Sequence, residues 1–262
     1  MKNQIKAPQP SILGDVKGII FDYGGTLDTA GCHWGKMLWR AYERQQVPVT
    51  EEQFRDAYVY GERTLGRNPI IRPDDTFHRT LSTKIRLEME HLCTQGAWDA
   101  TETEFKAKHQ AVLNDLYTET KRTTAHSADV LRELHKRYPM VLVSNFYGNI
   151  ACVLREFGLD GFFLDIVESA VVGIRKPDPR IFTLGVEALN SKLGNTSPQL
   201  GGLRRALAPQ EILVVGDSFY KDILPAQKAG CKTAWFKGEG WTSEEYDESI
   251  PDLIINDLQE LL

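Results

Sequence analysis

Residues Lys17 to Thr29 read KGIIFDYGGTLDT. Gly18-Ile19-Ile20-Phe21 is a short apolar run with β-branched content, followed at once by an acid, a pair of glycines and a threonine. A run of this length bounded by glycine is expected to form a buried strand ending in a tight loop. In open α/β sheets, ligands sit at the carboxyl ends of strands. Asp22 therefore stands either at the mouth of a site or as a simple turn cap, and the rest of the chain must decide.

Beyond Thr29 the character changes. From about residue 32 to 120 the pattern is helical, with almost nothing resembling a strand. Met37, Leu38, Ala41 and Tyr42 share one helical face, and Phe77, Leu81, Ile85 and Met89 recur at fourfold spacing. Thr50-x-x-Gln53 and Thr101-x-x-Glu104 are capping-box signatures. Gly66–Pro73 is expected to be a loop by its glycine and proline content. The stretch reads as an all-helical insert of roughly ninety residues, a bundle or small cap.

From residue 126 onward helix and strand alternate, the rhythm of βαβ units on a parallel sheet. Expected elements are helix 126–137, strand Met140–Val143 running into Ser144-Asn145, helix Asn149–Phe157, a strand near Asp165–Glu168, and a loop Val171–Pro179 before a helix from Arg180. Residues 190–209 read as a long connection with a short helical piece at most. Strand Ile212–Val215 runs into Gly216-Asp217-Ser218, then come helix 219–229, strands Lys232–Phe236 and Leu253–Ile255, and a last helix capped by Asn256. The fold class is thus α/β, a Rossmann-like parallel sheet with helices on both faces plus a smaller all-helical cap. Residues 11–29 and 119–262 are assigned to the core and 30–118 to the cap. Residues 1–15 read as a loose leader.

Bulk properties narrow the function. Net charge is −5 over 262 residues, giving no electrostatic footprint for nucleic acid and no polybasic membrane surface. Cys32, Cys93, Cys152 and Cys231 are scattered without C-x-x-C spacing, which fits a reducing compartment. No apolar run is long enough for a signal peptide or a membrane span. A cytoplasmic protein with no nucleic-acid or membrane partner is expected; oligomeric state is silent.

Three strand ends carry polar residues of complementary type: Asp22, Ser144-Asn145, and Asp217 with Asp222 five positions on. Lys176 lies in a loop of the same sheet. If the strands are parallel, all fall along one edge, and three carboxylates there repel one another unless a cation sits among them. Oxygen ligands without His or Cys favour Mg²⁺. A carboxylate nucleophile, a hydroxyl, a lysine and Mg²⁺ form a device for phosphoryl transfer, with Asp22 attacking phosphorus.

FDYGGTLD, VLVSN, RKPDPRIF and VVGDSFYKD, in that order, resemble the four motifs of the haloacid dehalogenase (HAD) superfamily of hydrolases, and the helical insert matches that family's smaller cap in position. The resemblance implies that Asp22 is a nucleophile forming an aspartyl-phosphate, and that Thr26 and Ser144 position the phosphoryl group, with Asn145 in the same loop. It implies that Lys176 neutralises nucleophile and phosphate. It also makes Asp217, Asp222, Asp22 and the Gly24 main-chain carbonyl the magnesium site, and a small phosphorylated metabolite the substrate. One position departs. Phosphatase members usually carry a second Asp two places after the nucleophile, which protonates the leaving oxygen; here it is Gly24. Loss of such an acid typically costs about 10²–10⁴-fold. Three readings follow: a phosphohydrolase for good leaving groups, or else one whose cap or a water supplies the proton; a dehalogenase- or phosphonatase-like hydrolase; or a binding or regulatory module that holds a phosphorylated ligand without turnover.

Other residues carry two readings each. Asp28 is expected to structure the loop and Asp178 to cap the helix after it. His33 is either a substitute proton donor or a packing histidine, and Tyr23 a packing residue. Arg63, Arg67 and Arg72 either reach a substrate anion or lie on a solvated face. Trp34, Trp39 and Trp98 are expected in the cap core.

Overall fold

The computed structural model describes residues 12–195, 205–241 and 245–262. Most of the expected leader and the middle of the expected 190–209 connection lie outside these residues. Strand β1 (Gly18–Phe21) is the centre of a six-stranded, all-parallel sheet with β2 (Met140–Ser144), β3 (Ile166–Glu168), β4 (Ile212–Gly216), β5 (Lys232–Phe236) and β6 (Leu253–Ile255), ordered β3-β2-β1-β4-β5-β6. Strands buried on both faces read as continuous apolar runs rather than alternating ones, which is why GIIF, MVLVS and ILVVG were legible.

Alternate residues feed two cores. Ile19 and Phe21 pack with Met140, Leu142, Leu213 and Val215 on one face, whereas Ile20 joins Val141, Val143 and Val214 on the other. Helix α7 (Arg180–Asn195) covers the second face through Ile181, Phe182, Val186 and Leu189. The first face is covered by the end of α4 (Glu102–His135), through Val130, Leu131 and Leu134, and by α5 (Ile150–Glu156). Full burial of each such side chain contributes about 1.5–3 kcal/mol. The sheet is therefore sandwiched by helices. The order reverses at β1, and the crevice at its carboxyl end against β4 is where such sheets place ligands.

The cap is helical, as expected. Helices α1 (Trp34–Arg44), α2 (Glu51–Arg67) and α3 (Phe77–Thr94) pack with the first half of α4, and Met37, Leu38, Ala41, Tyr42, Phe77, Leu81, Ile85 and Met89 are all buried. Thr50 forms a full capping box with Gln53, whereas Thr101 accepts from the Glu104 amide without the reciprocal bond.

Several expected boundaries move. Helix α2 runs through Gly66 and Arg67 before the loop begins, and Ser169–Val172 forms a short helical turn, α6, that runs into the first two residues of the expected 171–179 loop. The expected helix 126–137 is, as far as His135, the last part of α4, one helix of 34 residues. No glycine or proline interrupts 102–135, and Thr124 bonds back to the Thr120 carbonyl at 2.9 Å. The 118/119 division between cap and core thus falls inside a single helix about 51 Å long.

Within the expected connection, α7 continues to Asn195. The expected helix 219–229 is a π-helical turn, Phe219–Ile223, followed by α8 (Leu224–Lys228). The Ser218 carbonyl accepts from both Asp222 and Ile223, and Pro225 lacks the N–H that a regular ladder would aim at Lys221. Asp257, not Asn256, caps the last turn: its carboxylate accepts from the Gln259 amide, and Glu260 reaches back to the amides of Asn256 and Asp257. Among the described residues, no helix is long and apolar enough to cross a membrane.

Candidate active site

The β1 ladder extends one residue past the strand, the Asp22 amide donating to the Val215 carbonyl at 2.9 Å. This pins Asp22 at the strand end beside the β4 loop. Carboxylate oxygens of Asp22, Asp217 and Asp222 lie within 4.8 Å of one another. Lys176, 4% exposed, donates to Asp22 Oδ1 and to Asp222 Oδ1, each at 2.6 Å. The Thr26 hydroxyl lies 3.3 Å from Asp22 Oδ2 and 3.2 Å from Asp217 Oδ1, and accepts from the Asp217 amide at 3.0 Å. Five sequence-predicted residues from β1, β4 and the loop before α7 thus meet in one cluster.

Two glycines let the carboxylates approach. At Gly25, where φ is +101°, a Cβ would fall 2.4 Å from the Asp217 carboxylate, and at Gly216 one would fall 2.4 Å from Asp222 Cβ. The Trp235 indole donates to the Asp217 carbonyl at 2.8 Å, and the Ser218 amide donates to Asp222 Oδ2 at 3.0 Å. Wide spacing in the π turn carries Asp222 back toward the strand end, a placement typical of π turns at functional sites.

Burial raises Asp22 to about 6, with Lys176 pulling down and Asp222 pushing up. Asp217 is also raised, by burial first and then by Asp222 and Asp22. Burial opposes the charge on Lys176, yet Asp22 and Asp222 hold it above the ordinary lysine value. When all are ionised, one ammonium leaves two negative charges of the trio unbalanced. All donors are oxygens, the set that suits a hard divalent cation.

The other expected residues divide. Asn145 does not face the cluster with its amide: Nδ2 donates to the Lys176 carbonyl at 3.1 Å and Oδ1 accepts from the Lys176 amide at 2.9 Å, so it fixes the lysine loop. Ser144 ends β2, is 1% exposed and is not among the cavity-lining residues. Gly24 lines the cavity. Asp28 structures the loop, accepting from the Gly25 amide at 2.7 Å and the Trp34 indole at 3.0 Å. Asp178 accepts from the Arg180 amide, as a cap does. Tyr23 is fully buried, edge-on to Phe146.

His33 caps α1, its Nδ1 accepting from the Gly35 amide at 3.1 Å, and packs on Tyr58 and Trp241. Burial, then Lys221 and Lys84, lowers it to about 4, so it is neutral at physiological pH. Trp98 stacks on Phe105 and Trp39 tilts against Phe54 in the cap core, but Trp34 lines the cavity. Arg63, Arg67 and Arg72 are exposed and outside the cavity lining.

A cavity of about 440 Å³ opens over the cluster, between the strand ends and the cap. Its cap side is built by Tyr58, Glu62, Leu81 and Lys84, of which sequence patterns singled out only Leu81, as a member of an apolar row. One signal was available: Thr80, Lys84 and Glu88 recur at fourfold spacing on α3 beside the apolar row Leu81, Ile85, Met89, and all six are buried. Tyr147 enters from the loop after β2. That loop is seated by Glu168, whose carboxylate accepts from the Gly148 amide at 2.5 Å.

A family description, haloacid dehalogenase-like hydrolase, matches residues 16–230, and the chain belongs to that family. Phosphoglycolate phosphatase of Vibrio cholerae is 28% identical over 258 residues, 95% of this chain and 97% of that protein. Glyceraldehyde 3-phosphate phosphatase of Pyrococcus furiosus is 32% identical over 105 residues, 40% of this chain. The chain spans only 37% of that relative, and 38% of its Pyrococcus abyssi counterpart. Among solved structures, a dehalogenase in an intermediate complex aligns with TM-score 0.58 at 17% identity, over 94% of this chain and 96% of that one. The HAD-hydrolase YfnB of Bacillus subtilis, bound to magnesium, aligns with TM-score 0.52 at 20% identity over the same shares. These two likenesses show the fold.

Proposed function

We propose that the protein is a Mg²⁺-dependent phosphohydrolase that transfers the phosphoryl group of a small phosphorylated metabolite to Asp22 and then to water. The observation that carries this reading is the trio Asp22, Asp217 and Asp222, two members buried and Asp217 half-buried, with Lys176 donating at 2.6 Å to the two buried ones. Gathering three carboxylates, two of them buried, against one ammonium is costly unless further positive charge is supplied. An all-oxygen donor set fits Mg²⁺, with Asp22, Asp217, Asp222 and the Gly24 carbonyl as the residues that would hold it. When bound, the ion would supply positive charge to the phosphoryl oxygens and to the nucleophile. The phosphatase names of several relatives point the same way.

Asp22 Oδ1 is held by Lys176, which keeps the carboxylate ionised and oriented. Thr26 bridges Asp22 and Asp217 through its hydroxyl. Lys176, itself fixed by Asn145, places positive charge beside the nucleophile and the incoming phosphoryl oxygens. Gly24 offers no proton, and four groups on the cavity wall, His33, Glu62, Tyr58 and Tyr147, do not replace one near neutral pH. His33 is held neutral, Glu62 is held ionised by Lys84 against partial desolvation, and burial pushes the Tyr58 and Tyr147 phenols up. The favoured substrates are therefore those whose leaving group departs as an anion: acyl phosphates, aryl phosphates or anhydrides.

Hydrolysis of p-nitrophenyl phosphate beside an alkyl phosphate, with Mg²⁺ and with chelator, tests the reading. Metal-dependent turnover of the aryl ester, faster than the alkyl ester by about 10²–10⁴-fold, supports it. No turnover of either, with phosphate stabilising the metal-loaded protein against heat, would favour a ligand-binding role instead.

A further inference from the structure

Tyr58 and Glu62 stand one turn apart on α2 and so share a face, and Lys84 reaches the same point from α3. The Lys84 ammonium pairs with Glu62 Oε1 and sits 4.5 Å from the centre of the Tyr58 ring. The Tyr147 hydroxyl donates to that same oxygen at 3.1 Å. Both donors thus converge on Oε1, and Glu62 Oε2 makes no hydrogen bond among the described residues. The Lys84 side chain is 8% exposed but that of Glu62 is 38% exposed, and both line the cavity.

An ion pair that merely fastened α2 to α3 would add little, since an apolar pair of similar volume does so equally well. Phe54, Ala57, Leu81 and Ile85 already supply apolar packing in the cap. What the pair adds is an oriented, ionised acceptor facing the cavity. Resting on the phosphohydrolase reading above, we infer that Glu62, set by Lys84 and Tyr147, is a specificity residue that binds a hydrogen-bond donor, hydroxyl or ammonium, on the leaving-group end of the substrate. A site built to accept such a bond discriminates strongly against an analogue that lacks the donor, because its own polar group is then left unpaired.

The test is a set of matched aryl phosphates bearing para-hydroxymethyl, para-aminomethyl or para-ethyl groups, with homologues one carbon longer. Each ratio of kcat/KM, donor-bearing over ethyl or propyl, is taken on one preparation, so partial unfolding cancels. Wild-type protein should give a ratio of about 10 or more in at least one series. The double variant E62L/K84M, which replaces the ion pair by an apolar pair, should bring it to about 1. Glu62→Gln, which keeps a neutral acceptor, should lose the ammonium preference more than the hydroxyl one. A wild-type ratio near 1 throughout, or a ratio that E62L/K84M leaves unchanged, overturns the assignment to Glu62 alone. Absence of metal-dependent turnover of every ester overturns the phosphohydrolase reading and this inference with it.

Discussion

Restoring an acid at position 24 should convert the site toward alkyl esters. A Cβ built on Gly24 meets only Trp34, at 4.0 Å from Cδ1 and Nε1, an ordinary van der Waals contact. Gly24 is also not among the positive-φ glycines, so Gly24→Asp carries no evident steric or backbone penalty. Asp22, Asp217 and Asp222 surround the cluster, and their repulsion favours the protonated form of a new carboxyl group. That is the form an acid catalyst needs. Positioned acids contribute about 10²–10⁴-fold, or roughly 3–5 kcal/mol of barrier. Steady-state kcat/KM for an alkyl phosphate should therefore rise about 10²-fold or more, whereas p-nitrophenyl phosphate, whose leaving anion needs no proton, should change by less than about 10-fold. The two substrates are assayed side by side at fixed Mg²⁺, with circular dichroism to check the fold. An unchanged alkyl rate in folded variant protein, or an equal rise on both esters, would refute the reasoning from the missing acid.

Other substitutions probe the remaining parts. Asp22→Asn should remove turnover of every ester, by more than about 10³-fold, while thermal unfolding shows the fold retained. Gly25→Ala must place a methyl group against the Asp217 carboxylate at a φ of +101°, so stabilisation by Mg²⁺ in a thermal-shift assay should be lost. Glu88 in the cap is fully buried, and burial raises it to about 8. Folded protein thus holds this proton where the unfolded chain releases it, and stability should fall as pH rises from about 4.5 to 8, by on the order of 1.4 kcal/mol per unit at most. Glu88→Gln should flatten the urea-unfolding free energy across that window relative to wild type. Parallel profiles would contradict the assignment.

The carboxylate trio was legible because each member ends or closely follows an apolar run, and parallel strands bring such ends to one edge. Lys176 was legible as a lysine in a loop of the same sheet, but its pairing with the nucleophile came only through the RKPDP resemblance, since nothing in a loop's composition says where its side chain reaches. Asn145 was placed in the strand-end loop without a contact of its own. Its neighbour in space, the Lys176 backbone, is 31 positions away in sequence, and both halves of the amide are spent there. The cap wall was missed for a different reason. Lys84 sits in the inward phase of α3, and its charge is visible in sequence, but its partner Glu62 is on another helix. Helix α4 was divided where the expected domains met, although no breaker residue stands there. Sequence marks where a helix can stop, and it does not show a helix passing from cap to core. The π turn at Phe219–Ile223 likewise depends on a shared carbonyl and on Pro225, whose effect on the ladder is local and small.

Anomalous diffraction from crystals grown with Mn²⁺ in place of Mg²⁺ measures the heart of this account. A single strong peak bounded by the carboxylates of Asp22 and Asp217, near Asp222 and the Gly24 carbonyl and absent in Asp217→Asn crystals, is the expected result. Wild-type crystals with no peak there, with Lys176 still bridging Asp22 and Asp222, would contradict it.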